Sequence, residues 1–354
     1  MIGRLGRALR VVAINLLVLA AVLIVLEGLA SAFLIVRDVT VFAWVAQPYT
    51  QYDAELGWVN RPGVRIPDMF GPGVGVETNA QGFRTAHDVA PRVAPGRLRV
   101  VCAGDSFTFG DGVDNAHTWC EQLAAHDPRI EPVNLGEGGY GVDQAYLRYV
   151  RDTRGVEHHA LVLAFITDDF TRMQEPVYLG FGKPVLALDE GRLRTGNVPV
   201  PRVASSHPWL IAIPRAFADT RLAALARRAA NKVKPENPAA RDARDGASRQ
   251  LLEAIVADLK RVTAERSSAL VLAYLPAVYE LGGTGPAVWT RFIGEIAARQ
   301  QVPLVDVMTE FRSRPWTRDL FLWEGTAAGH YSNAGHAAVA DMIASRLGSV
   351  LPQP

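Results

Sequence analysis

The sequence predicts an α/β fold with a doubly wound, flavodoxin-like sheet of five parallel strands and helices on both faces. Short apolar runs alternate with segments of helical periodicity, which is the pattern of a parallel sheet. The run at 160–166, A-L-V-L-A-F-I, is apolar throughout, as is typical of a strand buried on both faces. The strand ends carry glycine or polar residues, where open α/β sheets place their chemistry. The predicted strands are 98–102, 132–135, 160–166, 269–275 and 302–307, and the predicted helices are 118–125, 143–150, 249–266, 287–300 and 333–347.

Composition is consistent with one large α/β domain plus appendages. The chain has 354 residues, of which 49% are hydrophobic, and its 37 Lys+Arg against 36 Asp+Glu give no indication of nucleic acid binding. Cys102 and Cys120 are the two cysteines, and two buried thiols are favoured over a disulfide, which is the alternative for an exported chain. No residue spacing resembles a metal site, and no cofactor is expected.

The N-terminus predicts attachment to the cell membrane. Residues 11–36 are apolar except for Asn15 and Glu27, and three arginines precede them. This length spans a bilayer, and the basic flank is expected to stay in the cytoplasm, leaving the rest periplasmic or extracellular. The predicted organisation is a cytoplasmic stub and single-pass signal anchor over 1–39. A cleaved signal peptide is the alternative, because A-S-A at 30–32 has the form of a cleavage site.

Two irregular stretches accompany the predicted sheet domain at 97–354. Residues 40–96 are rich in Gly and Pro and are interpreted as a juxtamembrane segment of turns and short strands. Within it, N-A-Q-G-F-R at 79–84 could be a tight turn that packs Phe83 on the domain or an ordinary structural turn. An insertion at about 171–247 interrupts the strand-helix rhythm. It carries a hairpin signal at 185–194, a helical pattern at 208–230 and a charged linker at 234–246. The insertion could be a substrate-binding cap or a structural flap.

Ser106 follows the first predicted strand, on a strand-loop-helix connection. A serine hydroxyl is a poor nucleophile unless a base takes its proton and donors receive the oxyanion. The glycines at 136–141 allow backbone N–H groups to approach a ligand. His330 lies in the loop before the last helix, whose N-cap is Ser332 or Asn333, and can reach a strand-end site.

The order of these motifs resembles that of the SGNH/GDSL hydrolases. The G-D-S turn at 104–106, N-L-G-E-G-G at 134–139, the strand ending in D-D at 168–169 and H-Y-S-N-A-G-H at 330–336 occur in the family's order. The resemblance covers about 98–351 apart from the insertion. It extends to the bacterial membrane-anchored type through L-G-W at 56–58, the N-x-x-G-F-R turn and G-D-S-F-T-F-G.

The resemblance implies a role for each site residue. Ser106 would be the nucleophile and His330 the general base, giving an acyl-enzyme. The backbone N–H groups of Ser106 and Gly139 would form the oxyanion hole. Asp105 would shape the turn and Asn134 would brace the glycine turn, while His336, inside the last helix, is interpreted as structural.

Two positions depart from the family pattern. Asp168 stands where the family has the oxyanion-hole Asn, and an ionised carboxylate can only accept hydrogen bonds. The acid that orients the histidine is also missing, since Ala327 and Ala328 occupy its usual positions. Glu324 is the tentative acid; otherwise a Ser-His dyad or a backbone carbonyl must hold the imidazole.

Three functions follow as hypotheses. The first is a membrane-anchored serine esterase or deacylase that acts on a small-molecule, lipid or glycan acyl ester. The second is an O-acyltransferase of the same fold acting on cell-envelope glycans. Acyl transfer to a glycan that is faster than hydrolysis would distinguish it from the esterase. The third is a catalytically degenerate binding or assembly protein, which a histidine without a nearby acid would favour.

Overall fold

The computed structural model describes residues 2–45, 47–178, 180–201, 238–281, 287–313 and 318–353. The chain divides into two compact units, of which the larger comprises Gln47–Arg202 and Ala243–Pro354. The strands are β1 (Thr50–Asp53), β2 (Gly57–Asn60), β3 (Arg65–Ile66), β4 (Val76–Glu77), β5 (Leu98–Ala103), β6 (Ile130–Asn134), β7 (Ala160–Phe165), β8 (Val177–Tyr178), β9 (Phe181–Gly182), β10 (Val185–Asp189), β11 (Arg192–Gly196), β12 (Ala269–Tyr274) and β13 (Leu304–Asp306).

Ten α-helices lie in the described part of the chain, and short 3₁₀ turns at Asn115–His117 and Arg318–Leu320 accompany them. The helices are α1 (Ile2–Val45), α2 (Ser106–Phe109), α3 (Trp119–His126), α4 (Val142–Asp152), α5 (Asp168–Arg172), α6 (Pro238–Glu265), α7 (Val278–Leu281), α8 (Ala287–Gln300), α9 (Val307–Ser313) and α10 (Asn333–Leu347).

The central sheet confirms the predicted fold class. Its five strands are all parallel and lie in the order β13-β12-β7-β5-β6. Numbered by chain order this is 2-1-3-4-5, the flavodoxin-like arrangement. Neighbouring residues of β5 belong to hydrophobic cores on opposite faces of the sheet. Val101 and Ala103 pack into one core, and Val100 and Cys102 pack into the other. Because alternate side chains of a strand point to opposite faces, both faces of the sheet are covered.

The insertion is partly as predicted. The hairpin is confirmed: β10 and β11 pair antiparallel with Asp189 opposite Arg192. Its two turn residues, Glu190 and Gly191, have φ of 49° and 74°, the backbone of a tight two-residue turn. The helical pattern predicted at 208–230 lies outside the described residues.

The prediction of a charged linker at 234–246 is wrong for 238–246, because α6 begins at Pro238. Alanine and arginine favour helix, and proline is tolerated in the first turn, so this stretch extends the helix that was predicted to begin at 249. The fifth strand is shorter than predicted, since Val307 already begins α9.

The cysteine prediction is wrong in its preference. Cys102 on β5 and Cys120 on α3 form a disulfide, with their Cα atoms 6.2 Å apart. Cys102 points to the sheet face that α3 covers, so the two side chains meet across the interface. This cross-link ties the strand before Ser106 to the next long helix.

The segment before the sheet domain contains short strands between its turns, as predicted. β1 and β2 make an antiparallel hairpin, and β3 pairs with β4. The turn expected at 79–84 is present: the Asn79 Oδ1 accepts the backbone N–H groups of Gln81 and Phe83 at 3.0 and 2.9 Å. Phe83 is buried in the main core, as predicted.

Helix α1 contains an apolar stretch, Arg10–Phe33, with mean hydropathy 2.6. Among the described residues, this is the helix that is long and apolar enough to cross a membrane, and a signal sequence has the same character.

Candidate active site

Ser106 and His330 meet at the carboxyl end of the sheet. The Nε2 of His330 lies 2.8 Å from the Ser106 Oγ. Both residues are largely buried, each 8% exposed. The rings of His330 and Phe107 pack with their centroids 4.8 Å apart, which fixes the imidazole beside the serine.

The turn before the serine is held by Asp105. Ser106 is the first residue of α2, and the Asp105 carboxylate caps this short helix by accepting the Phe107 N–H at 2.9 Å. Within the described residues, the Ser106 backbone N–H donates no hydrogen bond to another protein group. It is therefore available to an oxyanion.

A backbone carbonyl holds the imidazole. The His330 Nδ1 lies 3.1 Å from the carbonyl oxygen of Ala327. A carbonyl only accepts, so Nδ1 carries the proton and Nε2 accepts the Ser106 hydroxyl. This is the tautomer that a general base needs. The loop is itself fixed, because the Leu322 N–H donates to the His330 carbonyl at 2.8 Å and the Gly329 N–H donates to the Leu322 carbonyl at 2.7 Å.

Glu324 and Asp168 are not brought to the reacting pair. Both are exposed, and neither forms a hydrogen bond with Ser106 or His330 in the described part of the chain. The Asp168 carboxylate acts instead on Tyr279, and partial burial together with this carboxylate raises the pKa of that phenol.

The buried member of the D-D pair is Asp169. Arg172 bridges it to Asp105, with its Nη1 2.6 Å from the Asp169 Oδ1 and 3.3 Å from the Asp105 Oδ2. Burial raises the pKa of both carboxyls, while the guanidinium opposes this. The i, i+3 spacing of Asp169 and Arg172 was the available sequence signal, but nothing in the sequence indicated that Asp105 would join them.

Gly139 lies in the glycine turn after β6. Its φ of 79° favours glycine, and a Cβ there would lie 3.0 Å from a Tyr178 ring carbon, so that the ring would have to shift. Its N–H has no protein acceptor among the described residues. Asn134 braces the turn as predicted, since its Oδ1 accepts the Gly136 N–H and its Nδ2 donates to the Thr108 carbonyl, both at 2.8 Å.

The L-G-W segment supports the same turn from outside the sheet. The Trp58 indole Nε1 donates to the Gly138 carbonyl at 2.9 Å, and the Tyr140 hydroxyl donates to the Trp58 carbonyl at 2.5 Å. Beneath the turn, Arg148 and Glu137 form a fully buried ion pair at 2.7 Å. Burial raises the pKa of Glu137 to about 7.

The N-x-x-G-F-R turn contributes a buried cation to the serine loop. Arg84 is 0% exposed and its Nη1 donates to the carbonyls of Phe109 and Gly110 at 2.7 and 2.6 Å. Its Nη2 donates to the Val113 carbonyl at 2.5 Å, and its Nε to the Asn115 Oδ1 at 3.1 Å. Sequence reasoning identified this turn but not the destination of its arginine.

The start of the insertion also packs at the site. The Tyr178 ring faces Gly139 and lies under the Arg172 guanidinium, 5.1 Å from the ring centroid. Lys183 forms a fully buried ion pair with Asp143, at the start of α4, at 2.6 Å. The described part of the insertion is therefore anchored next to the glycine turn.

Asp111 is a further acidic residue beside the histidine. Its Oδ2 lies 3.9 Å from the His330 Nε2, and its Oδ1 lies 3.4 Å from the Tyr49 hydroxyl. Burial raises the pKa of Asp111, whereas the charges of His330 and Arg84 lower it. Sequence reasoning missed this residue, although it follows G-D-S-F-T-F-G directly.

No protein-family profile and no curated protein match the sequence. Among solved structures, the chain is similar to a lipolytic protein of the G-D-S-L family from Desulfitobacterium hafniense DCB-2, at 14% identity and a TM-score of 0.42, over 71% of this chain and 99% of that one. A lipolytic protein of the same family from Veillonella parvula is 12% identical with a TM-score of 0.40, over 70% and 97%. A point variant of Axe2, a Geobacillus acetyl-xylooligosaccharide esterase, is 14% identical with a TM-score of 0.42, over 73% and 97%. These likenesses are distant, and the function proposed below rests on the geometry of this chain.

Proposed function

We propose that the protein is a membrane-anchored serine ester hydrolase of the SGNH type. The contact that carries this proposal is the 2.8 Å approach of the His330 Nε2 to the Ser106 Oγ, with Nδ1 held by the Ala327 carbonyl. A serine within hydrogen-bond reach of a correctly protonated base is the arrangement of an activated nucleophile.

The proposed reaction forms an acyl-enzyme. The Ser106 Oγ attacks the ester carbonyl carbon while its proton passes to the His330 Nε2, and the backbone N–H groups of Ser106 and Gly139 receive the oxyanion. Collapse of the tetrahedral intermediate breaks the ester C–O bond, and the imidazolium returns the proton to the leaving alcohol. Water then attacks the acyl carbon while the same nitrogen takes its proton; the bond from the acyl carbon to the Ser106 Oγ breaks, the imidazolium returns the proton to Oγ, and the carboxylic acid is released.

Because Ala327 and Ala328 replace the usual acid, the proposed catalytic group is a Ser106–His330 dyad rather than a complete triad. Loss of the orienting carboxylate in a serine triad costs about 10⁴-fold when the wrong tautomer results. The Ala327 carbonyl selects the productive tautomer, so this chain avoids that part of the loss. The family's Asn donor has no counterpart at Asp168, so two backbone donors form the proposed oxyanion hole.

The proposed location is the outer side of the cytoplasmic membrane. The stretch Arg10–Phe33 has 24 residues, which corresponds to about 36 Å of helix and exceeds the roughly 30 Å of hydrocarbon. The Cys102–Cys120 disulfide supports an oxidising compartment for the larger unit. Membrane fractionation tests the anchor: retention after carbonate washing supports it, and a soluble product beginning at residue 33 would indicate a cleaved signal peptide instead.

Hydrolysis of 4-nitrophenyl acetate tests the proposed activity. The full chain in detergent is expected to hydrolyse this ester, and Ser106→Ala and His330→Ala are each expected to lower kcat/KM by at least about 10³-fold. Asp341→Asn, on the exposed side of α10, is a suitable control. Equal hydrolysis by wild-type and Ser106→Ala protein would contradict the proposal, while faster acyl transfer to a glycan than to water would indicate the transferase.

A further inference from the structure

Two carboxyl groups lie near His330, the buried Asp105 and the half-buried Asp111, and within the described residues Asp111 is the one with an oxygen within 4 Å of a ring nitrogen. Asp105 accepts the Phe107 N–H and is paired with Arg172, so it is committed to the turn. Asp111 places its Oδ2 3.9 Å from the His330 Nε2. Because Ala327 and Ala328 occupy the usual acid positions, the His330 Nδ1 is paired with the Ala327 carbonyl and with no carboxylate in the described part of the chain.

Backbone and side-chain contacts hold Asp111 in position. Its backbone N–H donates to the Ser106 carbonyl at 3.1 Å, which ties it to the turn of the nucleophile. Its second carboxyl oxygen faces the Tyr49 hydroxyl, and Tyr49 stacks on Phe109 with ring centroids 4.9 Å apart. The Asp111 side chain is only 16% exposed, so solvent screens its charge incompletely.

We infer that Asp111 replaces the missing triad acid by stabilising the positive charge of His330 from the Nε2 side. This inference rests on the proposed function. The separation of 3.9 Å is too long for a hydrogen bond, so the effect is electrostatic. Asp111 is thus a positioning residue that acts through His330, while the Ala327 carbonyl retains the tautomer.

The charge matters at one stage of the reaction. When Ser106 attacks, its Oγ bonds to the carbonyl carbon, an electron pair moves to the carbonyl oxygen, and the proton moves to Nε2. The resulting imidazolium is paired with the Asp111 carboxylate until the proton passes to the leaving alcohol. Because the interaction is strongest with the imidazolium, Asp111 favours the transition state over the resting enzyme.

The other charged groups near this pair define what else could titrate. The charge of His330 also lowers the pKa of Asp105 and of His336. Arg84 and Tyr49 act on Asp111, and Asp111 in turn acts on Glu137, whose pKa burial raises to about 7. A Glu137→Gln variant, measured in parallel, identifies any step of the pH profile that belongs to Glu137.

The test is the pH profile of kcat/KM for 4-nitrophenyl acetate in the full chain. Asp111→Asn removes the negative charge that pairs with the imidazolium, so the acid limb of the kcat/KM profile is expected to move to lower pH, with about a tenfold loss of maximal kcat/KM. Asp111→Glu keeps the charge and is expected to restore most of both. Asp114→Asn is the matched control, because it makes the same change in the same loop and asparagine remains a good N-cap there.

The outcomes separate this inference from the proposed function. A uniform loss in Asp111→Asn, with the acid limb at its wild-type pH, would mean a purely structural role and overturn the inference while leaving the hydrolase intact. Wild-type protein without Ser106-dependent hydrolysis would overturn both. If Asp111→Asn does not fold, Asp111→Ser removes the same charge and gives the same readout.

Discussion

Replacing Arg84 by methionine tests whether the turn at 79–84 holds the serine loop. Methionine has a similar length but no charge and no donors. The substitution leaves several buried backbone carbonyls without their partner, two of which follow the short helix that begins at Ser106. The acceptors that would lose a hydrogen bond are the carbonyls of Gly75, Phe109, Gly110 and Val113 and the side chain of Asn115.

The expected loss is large but smaller than the sum of the bonds. A hydrogen bond to a charged group contributes about 1.5–3 kcal/mol, and burying the cation offsets part of that gain. Burial lowers the pKa of Arg84 to about 10, which reflects this cost. We therefore expect Arg84→Met to lower the free energy of unfolding by about 4 kcal/mol. For a domain of about 300 residues this lowers the Tm by about 6 °C.

Urea unfolding and the rate of Ser106-dependent ester hydrolysis are the two assays. Arg84→Lys keeps the charge but not the planar fork of donors, so an intermediate loss of about 2 kcal/mol is expected. Both variants should also hydrolyse ester more slowly, because the loop after Ser106 is less constrained. An Arg84→Met protein within 1 kcal/mol of wild type would refute the reasoning.

The remaining predictions concern other parts of the site and its support. His336 is buried with its Nδ1 3.2 Å from the Trp119 backbone N–H, and burial lowers its pKa to about 3. Below about pH 6.5 the unfolded chain therefore binds a proton that the folded chain excludes. As the pH falls from 6.5 to 4, the free energy of unfolding should decrease by up to about 1.4 kcal/mol per pH unit. Urea unfolding of His336→Asn should show a shallower dependence on pH. Reducing the Cys102–Cys120 disulfide, which joins residues 18 apart, should cost about 3 kcal/mol and about 5 °C in Tm by calorimetry; an unchanged Tm in protein shown to be reduced would contradict this. Glu324→Gln should hydrolyse ester within twofold of wild type, whereas a loss near 10³-fold would restore Glu324 as the acid. Gly139→Ala should lower kcat by at least tenfold through the strained turn, and an unchanged kcat would argue against Gly139 in the oxyanion hole.

The sheet was predictable because its signals are local. Each apolar run of the central strands is long enough to identify, and alternation with helices dictates a parallel arrangement. Ser106 was placed at a strand end by the same logic, and its pairing with His330 came from the order of motifs that resembles the SGNH/GDSL hydrolases. The bracing role of Asn134 was implied by the same resemblance, and its hydrogen bonds to Gly136 and Thr108 agree with it.

The partners across the fold were not predictable, because they depend on which distant segments pack together. The disulfide required knowing that α3 covers the face to which Cys102 points. The contact of Asp111 with His330 joins residues 219 positions apart, and no pattern along the chain indicates it. Likewise, the carbonyl of Ala327 reaches the imidazole only through the fold of its loop.

Covalent labelling of Ser106 is the most direct test of the activated serine. The full chain is treated with a fluorophosphonate at neutral pH, and the modified peptide is identified by mass spectrometry, with Ser106→Ala and His330→Ala as comparisons. We expect modification on Ser106 in the wild type, none at that position in Ser106→Ala, and labelling slowed by at least about 10²-fold in His330→Ala. Wild-type protein that is folded but unlabelled, or labelled equally fast without His330, would contradict the proposed Ser106–His330 pair.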